Sequence, residues 1–182
     1  MQNLRTYKLS KKWDPGATYL KRMIWRLFGL PILCSFLPGT LWRKLLLILF
    51  GAKIGKRGKI KPFVKVTSPW RLILGDDFWI GEEVWIDNLD FVKIEKSVCI
   101  SQKSYLCTGN HNYKSSTFDL ITSPITIGKS TWVCAGCFIA PGSNIGANCV
   151  ISFGSVLKGE VTNNTIVSGN PAVKIKNRHY PG

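Results

Sequence analysis

His111 is the residue of this 182-residue chain best suited to proton transfer, because a neutral imidazole accepts a proton from a hydroxyl near neutral pH. It is one of two histidines, and it lies at the start of a fifteen-residue insertion that interrupts a six-residue repeat. Long insertions in a regular fold commonly carry function. We therefore predict that His111 is a general base; the alternative is a loop histidine without a special role.

The repeat consists of an aliphatic residue at every sixth position. The hexads begin at Ile54, Ile60, Val66, Leu74, Ile80, Ile86, Ile94, Ile100, Leu106, Ile127, Val133, Ile139, Ile145, Ile151 and Leu157. The frame shifts by two residues after Val66 and after Ile86, and by fifteen after Leu106. Each shift follows a third hexad, so the unit is a triangular coil of three short strands, and every insertion leaves from the same corner.

The spacing predicts an all-β fold, a parallel β-helix of about five triangular coils that share one continuous core. Residues six apart lie on opposite sides of an α-helix, so helical periodicity does not produce this pattern. Small residues at the fifth hexad position, such as Gly58, Ser104 and Ser155, suit a tight corner. An ordinary sandwich of short strands is the alternative fold.

Asp87 and Asn88 lie one coil before His111, at the same predicted corner. Either side chain is a candidate for orienting the imidazole or for holding a substrate hydroxyl. For Asp87 the alternative is a solvated turn residue.

The chain divides into three predicted parts. Residues 1–50 form a basic, apolar helical segment, residues 51–162 form the β-helix with an inserted loop at 112–126, and residues 163–182 form a basic tail. Residues 1–65 contain fifteen Lys or Arg and one acidic residue, whereas the remainder contains ten and nine. This asymmetry predicts a polyanionic partner, either an anionic membrane surface or a nucleic acid.

The N-terminal segment is too short and too interrupted to predict a membrane span. Its longest uncharged stretch, 27–42, has 16 residues and includes Pro31 and Pro38, whereas a span needs roughly 20 predominantly apolar residues. A basic amphipathic segment in the membrane interface fits better. The alternative is that these helices only cover the open end of the β-helix. We expect a cytoplasmic protein at the inner face of the membrane.

Six cysteines are spread through the chain without a disulfide pattern or a convincing export signal, which predicts a reducing compartment. Cys134 and Cys137 have the CxxC spacing, but both fall on hexad positions where small side chains are expected, so we interpret them as structural. With two histidines and no cluster of ligand residues at suitable spacing, we expect no metal.

Several motifs together resemble the hexapeptide-repeat acyltransferase superfamily, and within it the exopolysaccharide (colanic-acid type) O-acetyltransferases, which are relatives of the maltose, galactoside and nodulation acetyltransferases. The matching runs are VWIDN at 84–88, ISQ at 100–102, CTGNHNY at 107–113, PITIG at 124–128 and VSGNPA at 167–172. The resemblance implies a left-handed helix. It also implies direct acetyl transfer from acetyl-CoA to a sugar hydroxyl of a polysaccharide precursor or lipid-linked oligosaccharide, with His111 as the general base.

The resemblance further implies a homotrimer in which CoA lies in the groove between two subunits. The residues that align with CoA contacts are Trp132, Ala135, Phe153, Gly154 and Lys158, and the basic tail residues Lys174, Lys176 and Arg178 are candidates for its phosphates. For Trp132 the alternative is packing against a neighbouring subunit.

Three other functions match part of the sequence pattern. A zinc carbonic anhydrase on the same coil needs about three protein ligands, which two histidines do not supply. A nucleic-acid-binding module lacks any recognisable binding motif beside its charge, so we expect no nucleic acid. An acetyltransferase for serine, a free sugar or an amino sugar differs from the favoured hypothesis only in its acceptor.

Overall fold

A computed structural model describes residues 4–7 and 13–179 of the chain. Lys8, Lys11 and Lys12, which contribute to the basic N-terminal segment of the sequence, lie outside the described residues. The helices are a 3-10 turn at Leu4–Thr6, α1 at Tyr19–Ile24, a π-helical stretch at Trp25–Gly29, α2 at Leu30–Leu33, α3 at Leu41–Leu49 and a 3-10 turn at Pro69–Arg71.

The described residues also form twenty short strands, most of two or three residues. They are β1 Lys53–Ile54, β2 Lys59–Ile60, β3 Lys65–Val66, β4 Leu72–Leu74, β5 Trp79–Ile80, β6 Trp85–Asp87, β7 Val92–Ile94, β8 Cys99–Ile100, β9 Tyr105–Cys107, β10 Gly109–His111, β11 Leu120–Thr122, β12 Ile125–Ile127, β13 Trp132–Val133, β14 Phe138–Ile139, β15 Asn144–Ile145, β16 Val150–Ile151, β17 Val156–Leu157, β18 Glu160–Val161, β19 Thr165–Gly169 and β20 Ala172–Asn177.

The strands form the three faces of a triangular prism. Sheet A has the order β1-β4-β7-β12-β15-β18, sheet B has β2-β5-β8-β13-β16-β19-β20, and sheet C has β17-β14-β9-β6-β3. Strands of successive coils pair in parallel, as in Ile60 with Ile80 and Val66 with Ile86. The predicted parallel β-helix is confirmed. The sequence predicts about five coils, and the structure has one further partial coil, because β18 and β19 begin a sixth.

The aliphatic residues of the repeat form the core. From Ile60 to Leu157 every one of them is buried, and Ile54, at the open end, is partly buried. Each coil alone exposes this aliphatic edge, so the stacking of coils supplies the apolar burial that stabilises the fold. Gly58 illustrates the predicted tight corner, since a Cβ there would lie 2.0 Å from the ring of Phe78 on the next coil.

The N-terminal helices cover the open end of the first coil. Trp25 is buried and donates its indole N–H to the carbonyl of Val66 over 3.0 Å, and Leu33 and Leu47 are also buried. The buried guanidinium of Arg43 donates to the carbonyls of Ser35, Gly39 and Leu37, which fixes the turn between α2 and α3. Capping of the coil is therefore one role of this segment.

Two antiparallel hairpins depart from the coil. The insertion after β9 pairs β10 with β11, so that His111 lies opposite Leu120. The C-terminal residues continue as β20, which pairs with β19 at the edge of sheet B. The first hairpin leaves from the corner between sheets C and A, where both two-residue shifts also lie. It carries His111, which the sequence predicts to be a general base.

Candidate active site

His111 is held by the loop of its own hairpin, through Phe118. The ring lies parallel to the ring of Phe118, with 4.3 Å between centroids and 1° between planes. Its Nδ1 atom is 2.9 Å from the carbonyl oxygen of Phe118. The ring of Tyr7 also meets the imidazole edge to face, with 5.8 Å between the ring centroids. These contacts fix both the plane and the rotation of the imidazole.

The contact with the carbonyl of Phe118 decides which nitrogen of His111 is basic. A carbonyl oxygen only accepts hydrogen bonds, so Nδ1 carries the proton and donates it. In the neutral ring the lone pair then resides on Nε2. This tautomer suits a base that removes a proton from a hydroxyl group.

The base of the hairpin is fastened by Thr108, which is fully buried. Its hydroxyl donates to the carbonyl of Asp87 over 3.1 Å and accepts from the backbone N–H of Asp90 over 2.9 Å. The hydroxyl of Thr122, at the end of β11, donates to the Asp90 carboxylate over 3.1 Å. Both strands of the hairpin are thus tied to the preceding coil, which positions His111 relative to the prism.

Asp87 ends β6, one coil before the hairpin of His111. It pairs with Cys107, the last residue of β9, which leads into that hairpin. Its carboxylate accepts hydrogen bonds from the hydroxyls of Thr67 at 2.8 Å and Tyr105 at 2.9 Å. Burial, followed by the hydrogen bonds to Cys107 and to the Asp87 carboxylate, raises the pKa of Tyr105, which keeps its hydroxyl protonated as the donor. The carboxylate is therefore fixed within a small polar network at this corner.

Asn88 is fully buried. Its Oδ1 accepts from the N–H of Ser68 at 2.8 Å and its Nδ2 donates to the carbonyl of Ser68 at 2.7 Å. The side-chain amide thus supplies the hydrogen bonds that a neighbouring strand would otherwise make to the backbone of Ser68, where the chain turns the corner. The structure places Asp87 and Asn88 at the predicted corner. The hydrogen bond that orients the imidazole of His111 nevertheless joins Nδ1 to the backbone carbonyl of Phe118.

Most of the residues that the resemblance assigned to CoA gather around a different corner, the one between sheets B and C. Ala135 and Gly154 occupy equivalent turns of successive coils, because the N–H of Gly154 donates to the carbonyl of Ala135 over 3.0 Å. Phe153, in the same turn, is 77% exposed, and Trp132 on sheet B is 46% exposed. Together they form an outward apolar surface along the prism.

The predicted basic residues are divided between two places. Lys174 and Lys176 are exposed on β20, beside sheet B, whereas Lys158 is exposed after β17, at the corner between sheets C and A. Arg178 donates to the carbonyls of Ser130 and Cys149, which ties the end of β20 to the coil. One chain therefore presents His111 and Lys158 at one corner and the remaining candidates at or near another.

Residues 124–159 match the family model described as bacterial transferase hexapeptide (six repeats). Over 180 residues the chain is 40% identical to the putative colanic acid biosynthesis acetyltransferase WcaF of Escherichia coli K12, and the alignment covers 98% of each chain. The chain belongs to the hexapeptide-repeat acetyltransferase family. The galactoside O-acetyltransferase of E. coli K12 is a more distant relative, 26% identical over 137 residues, which cover 71% of this chain and 68% of that one.

Solved structures of hexapeptide-repeat acetyltransferases share the fold. A family member from Vibrio cholerae, in complex with acetyl coenzyme A, superposes with a TM-score of 0.82 at 21% identity over 94% of this chain and 96% of that one. A galactoside acetyltransferase in complex with coenzyme A superposes with a TM-score of 0.80 at 22% identity, over 97% and 89%. The predicted left-handed parallel β-helix is confirmed.

Five of the six thiols of this hexapeptide-repeat acetyltransferase lie on the β-helix, and Cys34 lies at the end of α2. All six cysteines are free. Burial raises the pKa of Cys134 to about 11, and it also raises the pKa of Cys137, so both stay protonated at neutral pH. Within residues 4–7 and 13–179, no group of three or more His, Cys, Asp or Glu side chains is arranged to hold a metal ion.

Sequence reasoning missed Phe118, Thr108 and Tyr7 as residues that fix His111. Thr108 lies in the quoted CTGNHNY run, so its position was marked although its role was not. The contact from Phe118 is made by a backbone carbonyl, which leaves no signal in residue type. Tyr7 is 104 positions away from His111 in the chain, and only folding of the N-terminal segment brings the two rings together.

Proposed function

We propose that this protein is an acetyl-CoA-dependent O-acetyltransferase that acts on a sugar hydroxyl of a polysaccharide precursor or lipid-linked oligosaccharide. The observation that carries the proposal is the bond from Nδ1 of His111 to the carbonyl of Phe118, which leaves Nε2 as the base. The similarity to the putative colanic acid and galactoside acetyltransferases supports the acceptor class. The complexes of acetyl-CoA and CoA with structural relatives support the donor.

In the proposed reaction the acceptor hydroxyl oxygen attacks the thioester carbonyl while its proton passes to Nε2 of His111. The tetrahedral intermediate then collapses, the C–S bond breaks, and the proton passes from the imidazolium to the sulfur of CoA. The products are the acetyl ester and free CoA. A positioned general base contributes about 10²–10⁴-fold, and holding both substrates in a reactive geometry supplies much of the remaining acceleration.

The negative oxygen of the intermediate requires hydrogen-bond donors aimed at it, and we propose that backbone N–H groups of a neighbouring coil supply them. Trp132, Ala135, Phe153 and Gly154 would contact CoA along the prism. Lys158, Lys174 and Lys176 would meet its phosphates, since an ammonium group interacts with phosphate as a point charge. We propose that Asp87 and Asn88 position the acceptor side of the site through the corner that they hold.

We propose a homotrimer in which each site is completed by a neighbouring subunit. The hairpin that carries His111 leaves the coil at the corner between sheets C and A. Ala135 and Gly154 lie at the corner between sheets B and C. One side of a coil has about six residues and extends at most about 20 Å, so these two groups lie on opposite edges of sheet C. A second copy that presents its B–C corner to His111 would bring them together. Closed cyclic symmetry then gives three equivalent sites.

Mixed trimers test this arrangement. One variant carries His111→Ala and the other carries Trp132→Ala with Phe153→Ala; each is expected to be nearly inactive alone. After joint refolding, about a quarter of the sites should combine an intact His111 with an intact CoA surface and recover turnover, because subunits mix at random. A mixture as inactive as its two components, or an active monomer in sedimentation, would refute the shared site.

We further propose that the protein works at the cytoplasmic face of a membrane. None of the helices in the described part of the chain is long and apolar enough to span a bilayer. The N-terminal helices nevertheless expose many large apolar side chains, which we name the apolar helix face: Tyr19, Leu20, Ile24, Leu27, Phe28, Ile32, Phe36, Leu37, Leu41, Leu45, Ile48 and Leu49. An exposed surface of this kind marks an interaction site.

Charge selects an anionic membrane as the partner of the apolar helix face. Exposed basic residues surround the first coil beside the helices: Lys53, Lys56, Arg57, Lys59, Lys61 and Lys65. Each basic residue near an anionic surface contributes about 1 kcal/mol of attraction, while apolar side chains enter the interface. A lipid-linked acceptor stays in the bilayer, so membrane residence would bring enzyme and substrate together.

Acceptor-dependent release of CoA tests the proposed activity. Purified protein is incubated with acetyl-CoA and either a lipid-linked oligosaccharide, a free sugar, an amino sugar or serine, and the free thiol is measured. We expect release above the background hydrolysis rate with the saccharide acceptors, most rapidly with the lipid-linked one. Release only with serine or an amino sugar would replace the proposed acceptor with a small one. Absence of release with every acceptor would contradict the acetyltransferase proposal.

A further inference from the structure

A groove of about 470 Å³ lies between helix α1 and the first two coils. The N-terminal segment contributes Trp13, Arg22 and Arg26 to its wall, and the coils contribute Lys65 and Trp85. The volume falls within the range of sites that hold small molecules. Three cations and several aromatic rings therefore face one concave surface.

The groove lies beside the strand that carries His111. Leu89, in its wall, closely approaches Gly109, where a Cβ would lie 3.0 Å from Cδ1 of Leu89. Gly109 begins β10, and His111 ends it. Asp87, also in the wall, pairs with Cys107 one rung away from the hairpin. The wall of the groove and the start of the strand that carries His111 therefore meet at the C–A corner.

One tryptophan of the groove differs from the others in its hydrogen bonding. Three of them donate their indole N–H to oxygens of the protein: Trp25 to the carbonyl of Val66, Trp70 to that of Pro15 and Trp85 to the hydroxyl of Thr67. The indole N–H of Trp13 is buried and has no acceptor among the described residues. A buried donor without an acceptor is unfavourable, so an acceptor oxygen that reached this atom from the groove would be stabilised.

Arg22 repeats this pattern. Its Nε–H is also buried and lacks an acceptor among residues 4–7 and 13–179, and its guanidinium lies 5.8 Å from the ring centroid of Tyr19. Arg71, nearby, donates instead to the carbonyls of Asp14 and Leu89. The wall of the groove therefore contains two side chains with an unsatisfied donor, and one of them is a cation.

The charges of the groove favour an anion. Arg22, Arg26 and Lys65 are positive, and the acidic residue in the wall is Asp87. The Asp87 carboxylate already accepts two hydroxyl hydrogen bonds, from Thr67 and Tyr105. The net charge of the wall is positive by two, the difference between these three cations and one carboxylate. A ligand that carries acceptor oxygens and negative charge satisfies both the donors and the field.

We propose that this groove binds an anionic oxygen group of the acceptor, either the carboxylate of an acidic sugar or the phosphate of a lipid-linked saccharide. The N–H groups of Trp13 and Arg22 donate to its oxygens, Arg26 and Lys65 neutralise its charge, and the ring of Trp85 stacks on the adjoining sugar. The inference rests on the proposed function and deepens it, because the anchored group sets which hydroxyl reaches His111.

Binding of two probe anions tests the groove without any turnover. Inorganic pyrophosphate and methyl glucuronide are titrated calorimetrically into protein saturated with CoA, so that the binding site of CoA's own diphosphate is occupied. We expect at least one anion to bind, with its dissociation constant raised about tenfold by Arg22→Met and severalfold by Trp13→Phe, which removes one N–H and keeps a ring. Lys129→Met removes an exposed cation outside the groove, and this variant should bind the anions as the wild type does.

The stronger-binding probe identifies the source of the anion, pyrophosphate for a lipid-linked phosphate and methyl glucuronide for an acidic sugar. Binding of neither anion, or equal binding by wild type and Arg22→Met, overturns the proposal. With an active acceptor, Arg22→Met should raise KM at least tenfold and retain kcat, and Arg22→Lys should recover part of the loss. Anion binding without acetyl transfer to any acceptor would support the groove and refute the acetyltransferase function. Acetyl transfer by Arg22→Met with the KM of the wild type would support the acetyltransferase function and refute the groove.

Discussion

Replacing His111 with alanine is expected to lower the turnover of acetyl transfer by about 10²–10⁴-fold, the contribution of a general base. The free energy of unfolding should stay close to that of the wild type, because His111 is partly exposed on a hairpin outside the stacked core. Turnover is measured by CoA release at saturating acetyl-CoA, and stability by denaturant unfolding. Turnover of the alanine variant within about threefold of the wild type would eliminate His111 as the base.

Asn88→Ala is the matched contrast, and the opposite pattern is expected. Its amide satisfies the backbone N–H and carbonyl of Ser68 at a fully buried corner. Truncation leaves both groups without partners, at a cost of about 1–3 kcal/mol each, or about 2–6 kcal/mol in total. Turnover per folded molecule should fall far less than in His111→Ala. Comparable turnover losses in two equally stable variants would mean that Asn88 acts at the reacting atoms.

The sequence predicted the coil because its periodic residues have a single physical task. The aliphatic residue of each hexad points into the prism, so spacing alone locates fourteen buried positions from Ile60 to Leu157. The same reasoning stopped before the sixth coil, since the step from Leu157 to Val161 is four residues instead of six. Gly159, with φ at +96°, allows this shorter turn. The repeat therefore continues structurally where the sequence period breaks.

The candidate site was predictable only in part, for a related reason. His111 was identifiable by its residue type and its place at the root of the insertion. The tautomer depends on the carbonyl of Phe118, and the ring orientation depends on Tyr7, which reaches the site through the fold of the N-terminal segment. Backbone acceptors and contacts between distant segments are encoded in conformation, so residue spacing does not reveal them. The unsatisfied donors of Trp13 and Arg22 were hidden in the same way.

The largest effect expected outside the active site concerns the apolar helix face. The full chain should co-sediment with vesicles that contain anionic lipid, and salt should release part of it by screening the charge attraction. Replacing four well-exposed residues, Leu20→Gln, Leu27→Gln, Phe36→Ser and Leu41→Gln, should abolish sedimentation, because the apolar part of binding is lost. These side chains are 57% to 73% exposed. Their substitution therefore leaves the buried contacts of Trp25, Leu33 and Leu47 with the coil intact.

A matched control separates a specific membrane face from general stickiness. Phe138→Ser with Phe153→Ser removes two exposed aromatic rings, 50% and 77% exposed, from the coil away from the helices. This variant should sediment with anionic vesicles as the wild type does. Each apolar side chain that enters the interface contributes up to about 1.5–3 kcal/mol to the free energy of membrane binding. The four substitutions therefore weaken binding more than salt does by screening the charge attraction. If the wild type stays in the supernatant with anionic vesicles at low salt, the helices serve as a cap and the membrane proposal fails.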